Sequence, residues 1–179
     1  MGVRIHFAYI NGYRPDWAEA LPEKLSDCLP YPMEHLTVQF DLKLFYTRER
    51  NQYHSTLILA QLLKHLPRED DKILGITSVD LYLPVLTFVF GESQLAGNGA
   101  VISTHRLRNE FYGLPPDNEL LLERTVKEAV HELGHAFGLV HCSNYSCVMN
   151  SSTYVENIDL KSSRFCKACQ AEMGVECPE

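Results

Sequence analysis

Val130-His131-Glu132-Leu133-Gly134-His135-Ala136-Phe137-Gly138-Leu139-Val140-His141-Cys142 is the stretch on which the reading of this chain turns. Residues four apart on a helix lie one turn apart on the same face, so His131 and His135 can aim two imidazoles at one ion. Glu132 stands between them on the neighbouring edge, within reach of a water on that ion without ligating it. Gly138 admits a backbone conformation closed to other residues, which lets the chain leave the helix and turn back. That return brings His141 in as a third nitrogen ligand. Three protein ligands leave one zinc position open, the pattern of a catalytic site rather than a closed structural one. The competing reading is an amphipathic core helix whose histidines are merely hydrogen-bonded. A chance match to the whole pattern is about 1 in 10,000 in a chain of this composition, which decides against it.

The remaining composition narrows the possibilities. A chain of 179 residues, 45% hydrophobic and 22% charged, fits one soluble globular domain or a domain with a small appendage. A net charge of -7 without a Lys/Arg cluster excludes nucleic acid and an anionic membrane surface as partners. No stretch approaches the 18 or so apolar residues of a membrane span. The start, Met1 to Ile10, is interrupted by Arg4 and His6 and reads as a strand, not a secretory signal. With no such signal, reduced thiols are expected rather than disulfides, four of the six cysteines standing at metal-like spacings, and the protein is expected to be cytoplasmic. Cys28, beside Leu29 and Pro30, does not match an inhibitory cysteine switch.

Taken in order, residues 1–11 predict a first strand ending at the Asn11-Gly12 turn signal, and residues 12–32 a loop with a short helix over 17–28. Alternation of Leu36, Val38, Phe40, Leu42 and Leu44 predicts a half-buried strand over 35–45. A helix of about 15 residues should follow Tyr53 and stop at Pro67. His54 and His65 flank that helix and stand outside any ligand spacing. Strands are expected over 72–83, over 86–90 as a central strand covered on both faces, and over 100–107. Strand, helix and adjacent strands in this order predict an α/β fold with a mixed sheet. Asp117 or Asn118 should cap the motif helix, which carries Leu122, Val126, Ala129, Val130, Leu133 and Phe137 at helical spacing. After His141 the composition turns to Ser, Asn, Cys, Tyr and Thr. We therefore divide the chain into residues 1–141, carrying sheet and motif helix, and residues 142–179, a small C-terminal subdomain.

That second part holds its own constellation. Cys142-x4-Cys147 and Cys166-x2-Cys169 have the spacings of a closed tetrahedral thiolate site, whose role would be structural. So short a segment could hardly keep its shape from an apolar core alone. Two disulfides, free thiols or an iron–sulfur cluster are the alternatives, and the place of Cys177 beside Pro178 argues against its replacing one ligand. Because Cys142 follows His141 directly, occupation of the thiolate site should help to position a ligand of the histidine site.

His131-Glu132-x-x-His135-x-x-Gly138-x-x-His141 matches the extended zinc signature of the metzincin metallopeptidases. With Cys142-x4-Cys147-x-Met149 and Cys166-x2-Cys169, the chain resembles the archaemetzincins. Arg50-x-Gln52-Tyr53, Gly75-Ile76-Thr77 and Phe88-Val89-Phe90-Gly91 resemble that family less specifically. The resemblance implies a metzincin-like zincin fold with a twisted mixed sheet, two long helices and a small zinc-stabilised C-terminal subdomain. It assigns His131, His135 and His141 to a catalytic zinc and Glu132 to general base and acid. Cys142, Cys147, Cys166 and Cys169 would bind a structural zinc, making two Zn2+ per chain, and Met149 would form the methionine turn beneath the first. The expected reaction is peptide-bond hydrolysis on a peptide or protein substrate by a monomer. Substrate is expected to extend along the 100–107 strand. Tyr154 is read as packing the subdomain rather than as an oxyanion donor. The alternative function is a zinc-stabilised peptide-binding or regulatory protein without turnover.

Overall fold

The computed structural model describes residues 2–177; Met1, Pro178 and Glu179 lie outside them. Eight strands are present among these: β1 (Ile5–Ile10), β2 (Met33–Val38), β3 (Tyr46–Thr47), β4 (Gln52–His54), β5 (Lys72–Thr77), β6 (Leu81–Tyr82), β7 (Gly91–Ser93) and β8 (Gly99–Ser103). Five α-helices accompany them: α1 (Leu21–Ser26), α2 (Ser55–Leu63), α3 (Asn118–Ala136), α4 (Val155–Leu160) and α5 (Lys167–Met173). The main sheet has the order β2-β1-β5-β8-β7, parallel throughout except for β7, which runs antiparallel to β8 with Gly91 opposite Ile102. This is the mixed α/β architecture expected. β3, β4 and β6 form a second small sheet.

The interior strands explain their own positions. Every residue of β1 and β8 is buried, as is β5 beyond Lys72, and such strands must be covered on both faces. One face packs Phe7, Leu74, Ile76 and Ile102 against α1 and α3, through Leu21, Leu25, Val126, Val130 and Leu133. The other packs Ala8, Ile10, Ile73 and Val101 against Ile58, Leu59 and Leu62 of α2. A Cβ at Gly75 would lie 2.6 Å from Leu62 Cδ2, so this glycine lets α2 approach the sheet. Val148, Met149, Phe165 and Cys169 belong to the same cluster as α3 and the first face, so residues from both sides of position 141 share one core.

Several boundaries differ from the sequence expectations. The strand begun at Met33 ends at Val38, because Asp41 Oδ1 accepts from Lys43 N at 3.0 Å and caps a 3₁₀ turn over Leu42–Phe45. The helix after Tyr53 has nine residues rather than about 15; beyond Leu63 the amides of Lys64 and His65 bond three residues back instead of four. Residues 86–90 form no central strand. Leu86 is 49% exposed, and the Leu86 and Thr87 carbonyls accept from Arg50 Nη2 instead of a ladder. The edge strand is β7, just beyond, so β8 has neighbours on both sides and cannot take a substrate strand as expected for 100–107.

The cysteines also depart from expectation. Cys28 and Cys177 form a disulfide that ties the chain beyond α1 to the C-terminal segment, while the other four cysteines are free thiols. Both sulfurs sit in the core cluster shared by α1 and α3, and a separation of 149 residues leaves no local signal of the pairing. The C-terminal segment is further held by Arg124 on α3, whose Nε and Nη2 each donate to Asp159 at 2.7 Å.

Asp71 fastens the amino ends of the parallel strands. Its buried carboxylate accepts from Arg4 N at 3.0 Å and pairs with His6 Nε2 at 2.9 Å, while Asn98 Nδ2 donates to its carbonyl. Burial alone would raise its pKa, but the His6 and Arg4 bonds and the Arg68 charge outweigh that and hold it below the ordinary 3.8. A depressed carboxyl stabilises the fold above its unfolded value and ceases to do so as pH falls through its folded value. Replacing Asp71 with Asn should therefore cost about 1–3 kcal/mol in urea unfolding at pH 7. The gap between parent and variant should close as the pH is taken below 3.8; a gap independent of pH would count against the carboxylate role.

Candidate metal centre and cleft

α3 starts where Asp117 Oδ1 accepts from Leu120 N at 2.9 Å, and it places His131, Glu132 and His135 on its last turns. At the C-terminal end Gly138 adopts φ +105° and Leu139 N bonds back to Gly134 O at 2.9 Å. The chain thereby reverses and brings His141 alongside. The ligand-capable nitrogens of His131, His135 and His141 lie within 4.8 Å of one another. His131 is buried, His135 half-buried and His141 exposed, so the group opens to solvent on one side.

Hydrogen bonds settle which nitrogens face inward. His131 Nδ1 lies 2.8 Å from Val148 O, and His135 Nδ1 lies 2.7 Å from Leu139 O. A carbonyl only accepts, so both Nδ1 atoms carry the proton and both Nε2 atoms present lone pairs. Those two Nε2 atoms face each other at 3.2 Å. Burial, followed by the Lys161 charge, pushes the His131 pKa well down, and burial lowers those of His135 and His141, so none readily becomes an imidazolium. Two opposed lone pairs with no proton between them fit a cation and repel otherwise. The donor set fits zinc.

Glu132 is buried against β7: a Cβ at Gly91 would lie 2.8 Å from its Oε1, so the glycine makes room for the carboxyl. Burial and then the neighbouring Glu128 raise the Glu132 pKa well above the usual range. Glu128 lies one turn earlier on α3, with its Oε2 buried and unpaired among the described residues. The buried Lys161 amine, donating to Asn150 O at 3.0 Å, supplies positive charge to both carboxyls. Glu128 and Glu132, with His131 and His141, line a cleft of about 520 Å³ together with residues 86–91 and 151–154. Glu128 and Lys161 are absent from the sequence reading. The only trace of Glu128 is its spacing of four before Glu132. Tyr154 is 65% exposed at the cleft, which corrects the expectation that it packs the subdomain.

The four thiols also converge, with sulfurs within 4.8 Å of one another. Cys142 Sγ lies 3.8 Å from Cys166 Sγ, and Cys147 Sγ 3.8 Å from Cys169 Sγ. Backbone amides serve the sulfurs: Cys166 N donates to Cys147 Sγ at 3.3 Å and Asn144 N to Cys142 Sγ at 3.4 Å. The Cys169 N–H bond brings the Cys166 thiol down to about 7, whereas burial raises Cys147 and Cys169. Such a donor set suits a thiophilic ion that displaces the remaining protons. Met149 is fully buried beneath α3, where a Cβ on Gly134 would lie 2.5 Å from its sulfur.

Residues 27–174 match the profile of Peptidase family M54. The chain is 47% identical over 140 residues to an archaemetzincin of Methanocaldococcus jannaschii, covering 78% of this chain and 76% of that one. Among solved structures, the archaemetzincin of Methanopyrus kandleri superposes with a TM-score of 0.84 at 36% identity, over 97% of this chain and 94% of that one. A zinc-dependent peptidase from Methanocorpusculum labreanum gives a TM-score of 0.82 at 31% identity, over 94% and 99%. The histidine cluster, the buried glutamate beside it and this kinship agree, and the chain belongs to peptidase family M54, the zinc metallopeptidases called archaemetzincins.

Proposed function

We propose that His131, His135 and His141 hold one zinc ion and that Glu132 serves as general base and then general acid in peptide-bond hydrolysis. The observation that carries this reading is the pair of Nε2 lone pairs turned inward by the Val148 and Leu139 carbonyls, with the Glu132 carboxyl alongside. Zinc with three protein nitrogens supplies Lewis acidity toward water and toward a carbonyl oxygen. Glu132 takes a proton from the attacking water and delivers it to the leaving amine. β7 is a sheet edge with β8 on one side, so an extended peptide can pair with its open side while its scissile bond lies over the histidines.

In the same reading Cys142, Cys147, Cys166 and Cys169 hold a second, structural zinc, and Met149 is the floor under the first. Residues 142–179 then act as a subdomain whose shape depends on that ion. Action in the cytoplasm goes with four free thiols; among the described residues no helix is long and apolar enough to cross a membrane. The Cys28–Cys177 bond is the feature that a reducing compartment would open.

Zinc-loaded protein incubated with a diverse peptide library should give cleavage products by mass spectrometry. A Glu132→Gln variant that still binds zinc should be slower by at least about 100-fold. Equal silence of both proteins, each holding two zinc ions, would favour the peptide-binding alternative instead.

The two sites are linked through Cys142, Cys147, Val148 and Met149. Val148 O, which orients His131, directly follows Cys147, and Cys142 N donates to Met149 O at 2.9 Å. Cys166→Ser should accordingly lose the second ion and weaken retention of the first by about tenfold, consistent with loss of an orienting partner. Metal analysis after dialysis against a graded chelator series reads both; unaltered retention of the first ion would refute the linkage.

A further inference from the structure

A second cavity of about 830 Å³ is larger than the cleft and lies beside it. Its floor is the segment after β5, Ser78 to Asp80, and the segment after β8, His105 to Arg108. β5 and β8 are parallel neighbours, so the cavity lies beyond the carboxyl ends of the strands, where open α/β sheets bind ligands. Thr87 lines both the cavity and the cleft, but none of the three histidines does.

Its charge runs against that of the chain. Arg50, Arg106 and Arg108, three of nine arginines in a protein of net charge -7, line it, with Asp80 as the single lining carboxylate. Asp80 is fully committed, because Arg106 Nε and Nη2 grip it at 2.6 and 2.7 Å and Gln52 Nε2 donates at 3.0 Å. Two guanidinium charges remain. Arg50 Nε donates to Gln52 Oε1, its Nη2 holds the Leu86 and Thr87 carbonyls, and it lies 4.3 Å over the Tyr82 ring. These contacts leave Nη1 without a protein acceptor among the described residues.

Arg108 is less well served. Its Nη2 lies 3.1 Å from His105 Nδ1, and that nitrogen also lies 3.2 Å from the Ser78 carbonyl. One ring nitrogen can accept from the arginine or donate to the carbonyl, not both. Among the described residues no carboxylate comes within 4.0 Å of either Arg50 or Arg108. Two guanidinium charges without a carboxylate partner line one cavity, Arg50 offering its free Nη1, and a guanidinium suits phosphate and carboxylate. Tyr46 and Tyr53, with rings 5.1 Å apart, and Phe111 supply an aromatic wall.

We propose that this cavity is a second ligand site, distinct from the histidine cluster, that binds a small anion bearing a phosphate or paired carboxylates between Arg50 and Arg108. The proposal does not depend on peptidase turnover.

Calorimetric titration of the zinc-loaded protein with inorganic phosphate, and separately with succinate, at matched ionic strength tests it and shows which chemistry the site prefers. At least one anion should bind, and Arg108→Gln should weaken that binding about tenfold or more with melting temperature and zinc content unchanged. Arg108→Lys, which keeps the charge and loses the fork, should fall between the two. A crystal soaked in selenate should show an anomalous selenium peak between the two guanidinium groups. Absence of binding by both anions, equal affinity in Arg108→Gln, or selenium found only at the histidine cluster would each overturn the proposal.

Discussion

Two backbone carbonyls, those of Val148 and Leu139, decide what the histidine cluster is. By accepting from Nδ1 of His131 and His135 they fix the tautomers and turn two Nε2 lone pairs toward each other. Neither carbonyl would be in place without a further contact. Leu139 is positioned by the reversal at Gly138, and Val148 by the Cys147 turn and by Met149 seated against Gly134. A side chain at position 134 would displace the methionine, and with it the carbonyl one residue earlier. The chemistry of the cluster is thus a property of backbone placement as much as of residue type.

Local patterns account for what could be read in advance. The motif helix, its Asp117 cap and the reversal at Gly138 lie within a few turns of chain, where spacing and geometry correspond directly. The thiol cluster was legible for the same reason, as two short spacings. Leu86–Phe90 misled because an apolar run does not by itself require a ladder; here Arg50 takes the Leu86 and Thr87 carbonyls, and Val89 makes only an isolated bridge to Leu81. The true edge strand, Gly91-Glu92-Ser93, has no β-branched or aromatic residue, and what makes it a strand is its partner β8. Glu128, Lys161 and the Cys28–Cys177 bond are matters of tertiary proximity, on which sequence periodicity is silent.

Apart from Asp71 and its partner His6 at the amino ends of the strands, buried charge gathers on and against α3. Glu128, Glu132, Lys161 and the Arg124–Asp159 pair all lie on or against α3, and each links that helix to the C-terminal segment or to β7. An arrangement of this kind fixes geometry at some expense of stability, because each ion has left water. The apolar contacts of β1, β5 and β8 with α1 and α2 supply the compensating stability elsewhere.

The borders of the main sheet have a bearing on the behaviour of the protein in concentrated solution. β7 spans three residues, and its Glu92 carboxylate is tied down by Ser55 and Thr56 of α2. At the opposite border, β2 carries Glu34, which Arg4 pairs at 2.5 Å. Three residues at the β7 border offer too little continuous backbone for the sheets of two copies to zip together, and on the six-residue β2 border the charged Glu34 opposes such pairing. The same brevity that admits only a short stretch of a visiting chain therefore guards against self-templated aggregation.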